Sequence, residues 1–125
     1  MANLTPTQRE LRRDHRSRLD AARVLVDLEE QAFHADLPLL DWQISVAGLV
    51  GRPLSSAGPD EAQAAVQAWT AHLGADAREP VEVRRPWRVR VLFAEARVPH
   101  PQASTGTVRV ALTAEIELEE STDAP

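Results

Sequence analysis

The feature that most constrains this chain is the alternation of apolar and polar residues in Gly106–Glu120, GTVRVALTAEIELEE. Only Ala111 interrupts a pattern in which every second residue is apolar. Side chains of a strand point alternately to its two faces, so the segment predicts a strand with one face on a core and one face in water. The apolar set consists of Val108, Val110, Leu112, Ala114, Ile116 and Leu118.

A second strand is predicted upstream, in Arg84–Ala94, and we expect it to pair with the first. An antiparallel register that places Phe93 opposite Val108 would bring two apolar faces together. The connecting segment Glu95–Thr105 contains two prolines and is predicted to be an exposed loop. The predicted apolar face consists of Trp87, Val89, Val91 and Phe93, and the polar face of Arg84, Arg88 and Arg90.

The first helix is predicted by its start signal and by its apolar spacing. Thr5, Pro6 and Gln8 supply an N-cap, a first-turn proline and a capping-box partner, and the helical pattern continues to about His34. The N-terminal half has little apolar surface, so only the second half is expected to pack on a sheet. The predicted packing stripe consists of Leu19, Ala22, Val26 and Phe33, flanked by Leu25 and Leu28.

A hairpin and a second helix follow. Leu39–Val46 alternates as a strand, the chain turns at Ala47-Gly48, and Leu49–Arg52 returns as a short second strand. The second helix opens at Pro59, because acidic residues follow in its first turn, and ends before Gly74. Its apolar stripe consists of Ala62, Val66, Trp69 and Leu73.

The resulting order α-β-β-α-β-β predicts an α+β fold. We expect a two-layer sandwich in which both helices cover one face of a four-stranded antiparallel sheet. The chain has 125 residues, which corresponds to one domain over 1–125. A polar, Arg-rich N-terminal helix extension over 1–18 and a polar tail over 119–125 are expected to lie outside its core.

The composition narrows the class of protein. Hydrophobic residues make up 43% and charged residues 26% of the chain, which is typical of globular proteins. The formal net charge of -5 argues against a nucleic-acid binder that uses its whole surface. The chain contains no cysteine, so disulfides and thiolate chemistry are excluded. No apolar run approaches the roughly 20 residues that span a bilayer, and we expect a cytoplasmic protein without a membrane partner.

The residues that carry enzyme chemistry do not form a known pattern in this sequence. His15, His34, His72 and His100 lack the spacing of metal ligands, and no nucleophile motif or phosphate-binding glycine loop occurs. The sequence therefore argues against an enzyme, and we expect no cofactor, no catalytic residue and no metal site.

Two sets of residues are candidates for binding. The arginine cluster of the first helix could contact phosphates or a protein partner, or it could form a solvated helix start in which Glu10 and Asp14 pair with neighbouring arginines. The three tryptophans could be core anchors, or they could line a pocket or an interface. The arginine cluster consists of Arg9, Arg12, Arg13, Arg16 and Arg18, and the tryptophans are Trp42, Trp69 and Trp87.

Four short motifs also suggest a family. They are Asp41-Trp42-Gln43-Ile44, Leu49-Val50-Gly51, the helix segment Ala68–Gly74 and the closing strand VRVALTAEI. In this order the chain resembles a group of small uncharacterised actinomycete proteins with W-x-I, a glycine turn, a W-x-x-x-L-G helix and two closing strands. The resemblance covers residues 39–118. It implies no activity, so no functional residue is carried over from it.

Three function hypotheses follow. The favoured one is a non-enzymatic binding or assembly module that self-associates, because the sequence shows no convergent catalytic set and the first helix is longer than a small sheet. A homodimer is expected through this helix, where Leu11, His15 and Leu19 are spaced by four and could form a seam, or through an exposed sheet edge. The second is a nucleic-acid-associated regulator that uses the arginine cluster. The third is a small ligand binder or enzyme with a tryptophan-lined pocket.

Overall fold

The structure is a computed structural model that describes residues 4–84, 86–100 and 106–118. Within these residues the chain has an α+β fold with two helices and a mostly antiparallel sheet. The elements are α1 (Pro6–Ala35), β1 (Leu40–Ser45), β2 (Gly48–Pro53), α2 (Pro59–Leu73), β3 (Asp76–Ala77), β4 (Val81–Val83), β5 (Val89–Pro99) and β6 (Thr107–Glu117).

Local signals determine where the two helices begin and end. The Thr5 hydroxyl accepts a hydrogen bond from the Gln8 amide at 3.1 Å, and the Gln8 side chain accepts one from the Thr5 amide at 2.9 Å. This capping box satisfies amides that the first turn leaves without partners. α2 starts at Pro59 and ends at Gly74, whose φ of 60° is left-handed. The predicted helix starts, and the predicted end of α2, are confirmed.

The sheet differs from the prediction in strand number and in direction. Its strand order is β1-β2-β6-β5-β3, and β4 also pairs with β5. The expectation of four antiparallel strands is wrong, because two further short strands, β3 and β4, pair with β5, and β2 pairs in parallel with β6. β6 takes this central position because it is apolar enough to be covered on both sides: Val110, Ala111 and Leu112 are all at most 2% exposed.

The register between β5 and β6 is also different from the expected one. Val98 lies opposite Val108 and Phe93 lies opposite Thr113, so the core-facing residues of β5 have even numbers. The segment 95–99, predicted as loop, continues the strand. The even-numbered residues of this segment, Ala96 and Val98, continue the apolar face of the strand, whereas Glu95 and Arg97 lie on its other face. Val89, Val91 and Phe93 consequently lie on the outer face of the sheet, away from the helices, and Trp87 is 51% exposed.

One connected core joins the two helices to the sheet. The Trp69 side chain of α2 lies at its centre with no exposed surface, and its indole nitrogen donates to the Pro38 carbonyl at 2.8 Å. Trp42 packs edge-to-face on Trp69 with ring centroids 5.3 Å apart. A Cβ at Gly51 would stand 2.8 Å from the Trp42 ring, so glycine gives this indole its space.

α1 packs on the sheet through a different face from the predicted one. Ala21, Val24 and Leu28 are completely buried, whereas Val26 and Phe33 of the predicted stripe are 60% and 81% exposed. The two sets lie on opposite sides of the helix, because residues two apart in an α-helix are separated by about 200°.

The structure describes the chain from residue 4 at the N-terminal end to residue 118 at the C-terminal end. The predicted polar tail over 119–125 lies outside the described residues, as do residues 1–3. Every residue from Pro6 to Arg16 is helical and exposed. Among the described residues, no helix has the length and hydropathy needed to cross a membrane.

Candidate protein interface

The solvent-facing side of α1 carries a row of large apolar side chains, which we call the outer stripe. Its members Leu11, Leu19, Val26 and Phe33 are 54%, 49%, 60% and 81% exposed. They are separated by eight, seven and seven residues, a spacing close to whole turns that keeps them on one side of the helix. A second exposed apolar set lies on β4, and the four residues of the outer stripe follow one another about two turns apart on one side of α1. The Phe33 ring contacts the neighbouring His34 ring.

The N-terminal part of α1 extends beyond the core of its own molecule. α1 has 30 residues, which corresponds to about 45 Å. The first buried residue is Ala21, and we call the exposed segment Pro6–Arg16 the arm. A polar helix segment of this length is only marginally stable in water without tertiary support. Leu11 is therefore an apolar residue on a helix segment that its own core does not support.

Charge is distributed unevenly along α1. The basic half, residues 6–18, carries five arginines against Glu10 and Asp14. The acidic half, residues 19–35, has Arg23 as its one basic residue apart from histidine, against four acidic residues. These acids are Asp20, Asp27, Glu29 and Glu30. The helix therefore presents opposite charge at its two ends alongside the outer stripe.

The candidate arginines are all exposed and all on this helix. In the described part of the chain none of them is joined to a carboxylate by an ion pair, so Glu10 and Asp14 do not neutralise them. The spacing of Arg9, Arg12 and Arg16 puts these three on one flank of the helix. Arg18 lies on the other flank of the outer stripe. The five candidates are Arg9, Arg12, Arg13, Arg16 and Arg18.

The three tryptophans do not lie in one place. Trp69 is buried and Trp42 packs on it, so these two belong to the core. Trp87 lies between β4 and β5 and is half-exposed, and the expectation that it anchors the core is wrong. The indole nitrogen of Trp42 is buried without a hydrogen-bond partner in the described part of the structure.

The histidines are also dispersed. His15 and His34 are exposed on α1, and the His72 ring nitrogen Nε2 is 2.8 Å from the Gln31 side-chain oxygen. His100, expected at the loop surface, is instead 8% exposed, with its Nε2 3.2 Å from an Asp20 carboxylate oxygen. Searching the described residues finds no group of three or more potential metal ligands.

The outer face of the sheet carries a compact ion pair. The Arg109 guanidinium donates to both carboxylate oxygens of Glu95, each at 3.0 Å. The hydrogen bonds from Arg109, partly opposed by burial, lower the pKa of Glu95 and raise that of Arg109. Arg78 is 3.8 Å from the same carboxylate and lies 4.7 Å over the Phe93 ring. Glu95 is therefore the carboxylate that offsets the charge of Arg109.

A cleft between α2 and the β3–β5 edge has a volume of about 540 Å³. Its wall is mostly apolar, with Val66, Leu92 and Phe93, and Arg78 is its one lining residue with a full charge. The volume falls in the range of small-molecule sites. The tryptophans do not line it, so this cleft is not the predicted tryptophan-lined pocket.

Sequence reasoning noticed the residues of the outer stripe but assigned most of them to the wrong side. Leu19, Val26 and Phe33 were expected on the sheet, whereas Leu11 and Leu19 were expected at a seam with a second copy. The available signal was the presence of two apolar sets on one helix, since Ala21, Val24 and Leu28 form the other. A helix with two apolar sides indicates two partners.

Comparisons with known proteins do not narrow the possible functions of this chain. Searches against protein-family models, curated proteins and solved structures find no match to this chain.

Proposed function

We propose that this protein is a non-enzymatic binding and assembly module that self-associates into a homodimer through the outer stripe of α1. The observation that carries the proposal is the row of Leu11, Leu19, Val26 and Phe33, exposed by 49% to 81% on the side of α1 opposite the core. Large apolar side chains exposed along one side of a helix form a candidate interaction site.

A second copy is favoured as the partner because α1 is complementary to itself. The basic half and the acidic half have charges of opposite sign, so a reversed copy of the same helix matches both charge and apolar surface. The arm also gains a surface to pack on when a second copy is present. The finer fold assignment, two layers with both helices on one side of the sheet, agrees with this proposal because it leaves α1 outermost.

The test is the mass of the protein as a function of concentration, measured by light scattering or sedimentation. The double variant Val26→Ala and Phe33→Ala should weaken dimerisation at least about tenfold, because each side chain buries apolar surface worth about 1.5–3 kcal/mol. Alanine keeps the helix propensity high. Val46→Ala is the matched control, since Val46 is 55% exposed in the β1–β2 turn and should leave the mass unchanged.

A wild-type protein that remains a monomer up to high micromolar concentration contradicts the proposal. So does a dimer that survives the double variant, because its interface must then lie elsewhere.

A nucleic-acid-associated regulator is the second candidate function. It is favoured by five exposed arginines on α1 that lack ion-pair partners in the described structure. Phosphate contacts of this kind weaken steeply as salt rises. A gel shift with random duplex DNA tests it: salt-sensitive binding that the double variant Arg12→Gln and Arg16→Gln reduces would support it, and absence of binding at low salt would exclude it.

A further inference from the structure

We infer that the two copies of α1 pair antiparallel, a geometry that rests on the proposed self-association. In this arrangement the arm of one copy lies along the acidic half of α1 in the other. The basic half has three more positive than negative charges and the acidic half has three more negative than positive ones, counting Arg, Asp and Glu. Reversing one helix sets the basic half of each copy against the acidic half of the other, and the parallel alternative sets halves of like charge together.

The flanks of the outer stripe define the charge pairs. Arg16, Arg23 and Glu30 recur every seven residues, so they follow one flank of the stripe over nearly whole turns. In an antiparallel pair centred near Ala22 and Arg23, Arg16 meets Glu30 of the second copy. On the opposite flank, Arg18 meets Glu29 of the second copy in the same way. Two copies of Arg23 approach at the centre, where Asp27, one turn away on each helix, offsets their charge.

The apolar residues agree with the same centre. Leu19 of one copy comes beside Val26 of the other, and Leu11 comes near Phe33. Ala22 lies between them at the centre, where a small side chain permits close approach of two helices. Both ends of the outer stripe are thereby covered by a single arrangement.

The antiparallel and parallel pairs also differ in the packing surface that they offer to the arm. In the antiparallel pair the arm packs on the half of α1 whose inner residues, Val24 and Leu28, are completely buried against the sheet. In a parallel pair the two arms could contact only each other, and each brings the arginines of the basic half. An unsupported pair of like-charged helix segments is poorly stabilised.

Cysteine cross-linking tests the orientation directly, because the chain has no cysteine of its own. His15→Cys and Glu29→Cys are made as separate proteins with different affinity tags, and Ala22→Cys serves as the central control. Two copies of residue 15 are about 22 Å apart in the antiparallel pair and adjacent in a parallel one. A short bismaleimide should therefore link the His15→Cys protein to the Glu29→Cys protein and link neither to itself. Ala22→Cys should link to itself.

Two other results of the cross-linking experiment would contradict, respectively, the antiparallel orientation and self-association itself. Self-linking of the His15→Cys protein means a parallel pair, which overturns the antiparallel inference and leaves self-association intact. No link at Ala22→Cys, together with a monomer mass, overturns the proposed function and the inference with it.

Charge reversal gives a second measurement that needs no cross-link. Arg16→Glu and Glu30→Arg should each weaken the homodimer several-fold, and combining both in one chain should restore it. A parallel pair would place Arg16 in a contact between two basic halves, so Arg16→Glu would relieve repulsion there and strengthen the pair. Loss of affinity in both single variants without recovery in the double variant would contradict the Arg16–Glu30 pairing.

Discussion

The two helices of this protein differ in how many apolar faces they carry. α2 has one apolar stripe, and its residues Ala62, Val66 and Trp69 are buried as the spacing predicts. α1 has two, an inner set that packs on the sheet and the outer stripe that does not. Periodicity identifies an apolar face, but it does not choose between two faces of one helix. The outer stripe of α1 is therefore an apolar face that the folding of one chain leaves exposed.

The largest expected effect tests the α2 side of this comparison. Trp69→Ala should lower the free energy of unfolding by about 3–5 kcal/mol, because it removes a completely buried indole and leaves a cavity. Denaturant unfolding measures it. Trp69→Phe is the control that keeps an aromatic ring but removes the donor to Pro38, and it should cost less. A loss below about 1 kcal/mol for the alanine variant would mean that α2 packs through another face.

The next effect compares the two sides of α1 with the same substitution. Val24 has no exposed surface and Val26 is 60% exposed. Val24→Ala should lower the free energy of unfolding by about 2 kcal/mol, because it removes two buried methyl groups and leaves a cavity. Val26→Ala should change the stability of the dilute protein by less than about 0.5 kcal/mol. It should also reduce any increase of stability with protein concentration, since a dimer stabilises the folded state by mass action. An equal loss of stability in the two variants would contradict the assignment of Val24 to the inner face of α1 and of Val26 to the outer stripe.

A smaller effect is expected at the start of the arm. Thr5→Ala removes the side chain that caps α1 and should destabilise its first turns by about 1 kcal/mol. Amide exchange across the arm measures the change, and exchange in α2 serves as the internal control. Thr5→Ser should behave as the wild type, because serine caps equally well. Unchanged exchange in the arm of Thr5→Ala would show that the capping box contributes little there.

The smallest effect concerns pH and the outer face of the sheet. The pKa of Glu95 is lowered from its ordinary value of 4.5, chiefly by the Arg109 hydrogen bonds. The stability that the carboxylate contributes is therefore complete above that value and is lost as the pH falls through the lower pKa of the folded state. Glu95→Gln should be slightly less stable than the wild type at neutral pH and equally stable at strongly acidic pH. If the two proteins still differ in stability at strongly acidic pH, the effect of Glu95→Gln comes from packing and not from the charge of the carboxylate.

Most of the local structure could be predicted from residues close in sequence. Thr5 and Gln8 identify the start of α1, and Pro59 and Gly74 bracket α2. The predicted reversal of the chain between the first two strands is confirmed, but the turn residues are Val46 and Ala47, and Gly48, with a φ of 129°, is the first residue of β2. These features depend on hydrogen bonds and backbone angles within a few residues, which the local sequence controls directly.

The candidate interface was predicted only in part. The arginine cluster and the seam through Leu11 and Leu19 are accessible on α1, but Val26 and Phe33 were assigned to the core. Val26 and Leu28 are both apolar and only two residues apart, so the sequence offered two nearly equal choices. The choice depends on how closely the helix can approach the sheet, and small residues such as Ala21 on the inner face favour that side.

The helix limits, the first hairpin and the alternating strand β6 can be predicted from the sequence, because they depend on neighbouring residues. The parallel pairing of β2 with β6, the register of β5 and the inner face of α1 depend on tertiary packing. Those three depend on which apolar surfaces cover one another across the whole chain. Val91 and Leu92 illustrate the reason: both are apolar, and only the pairing of β5 with β6 and α2 puts Leu92 at the core and Val91 on the outer face.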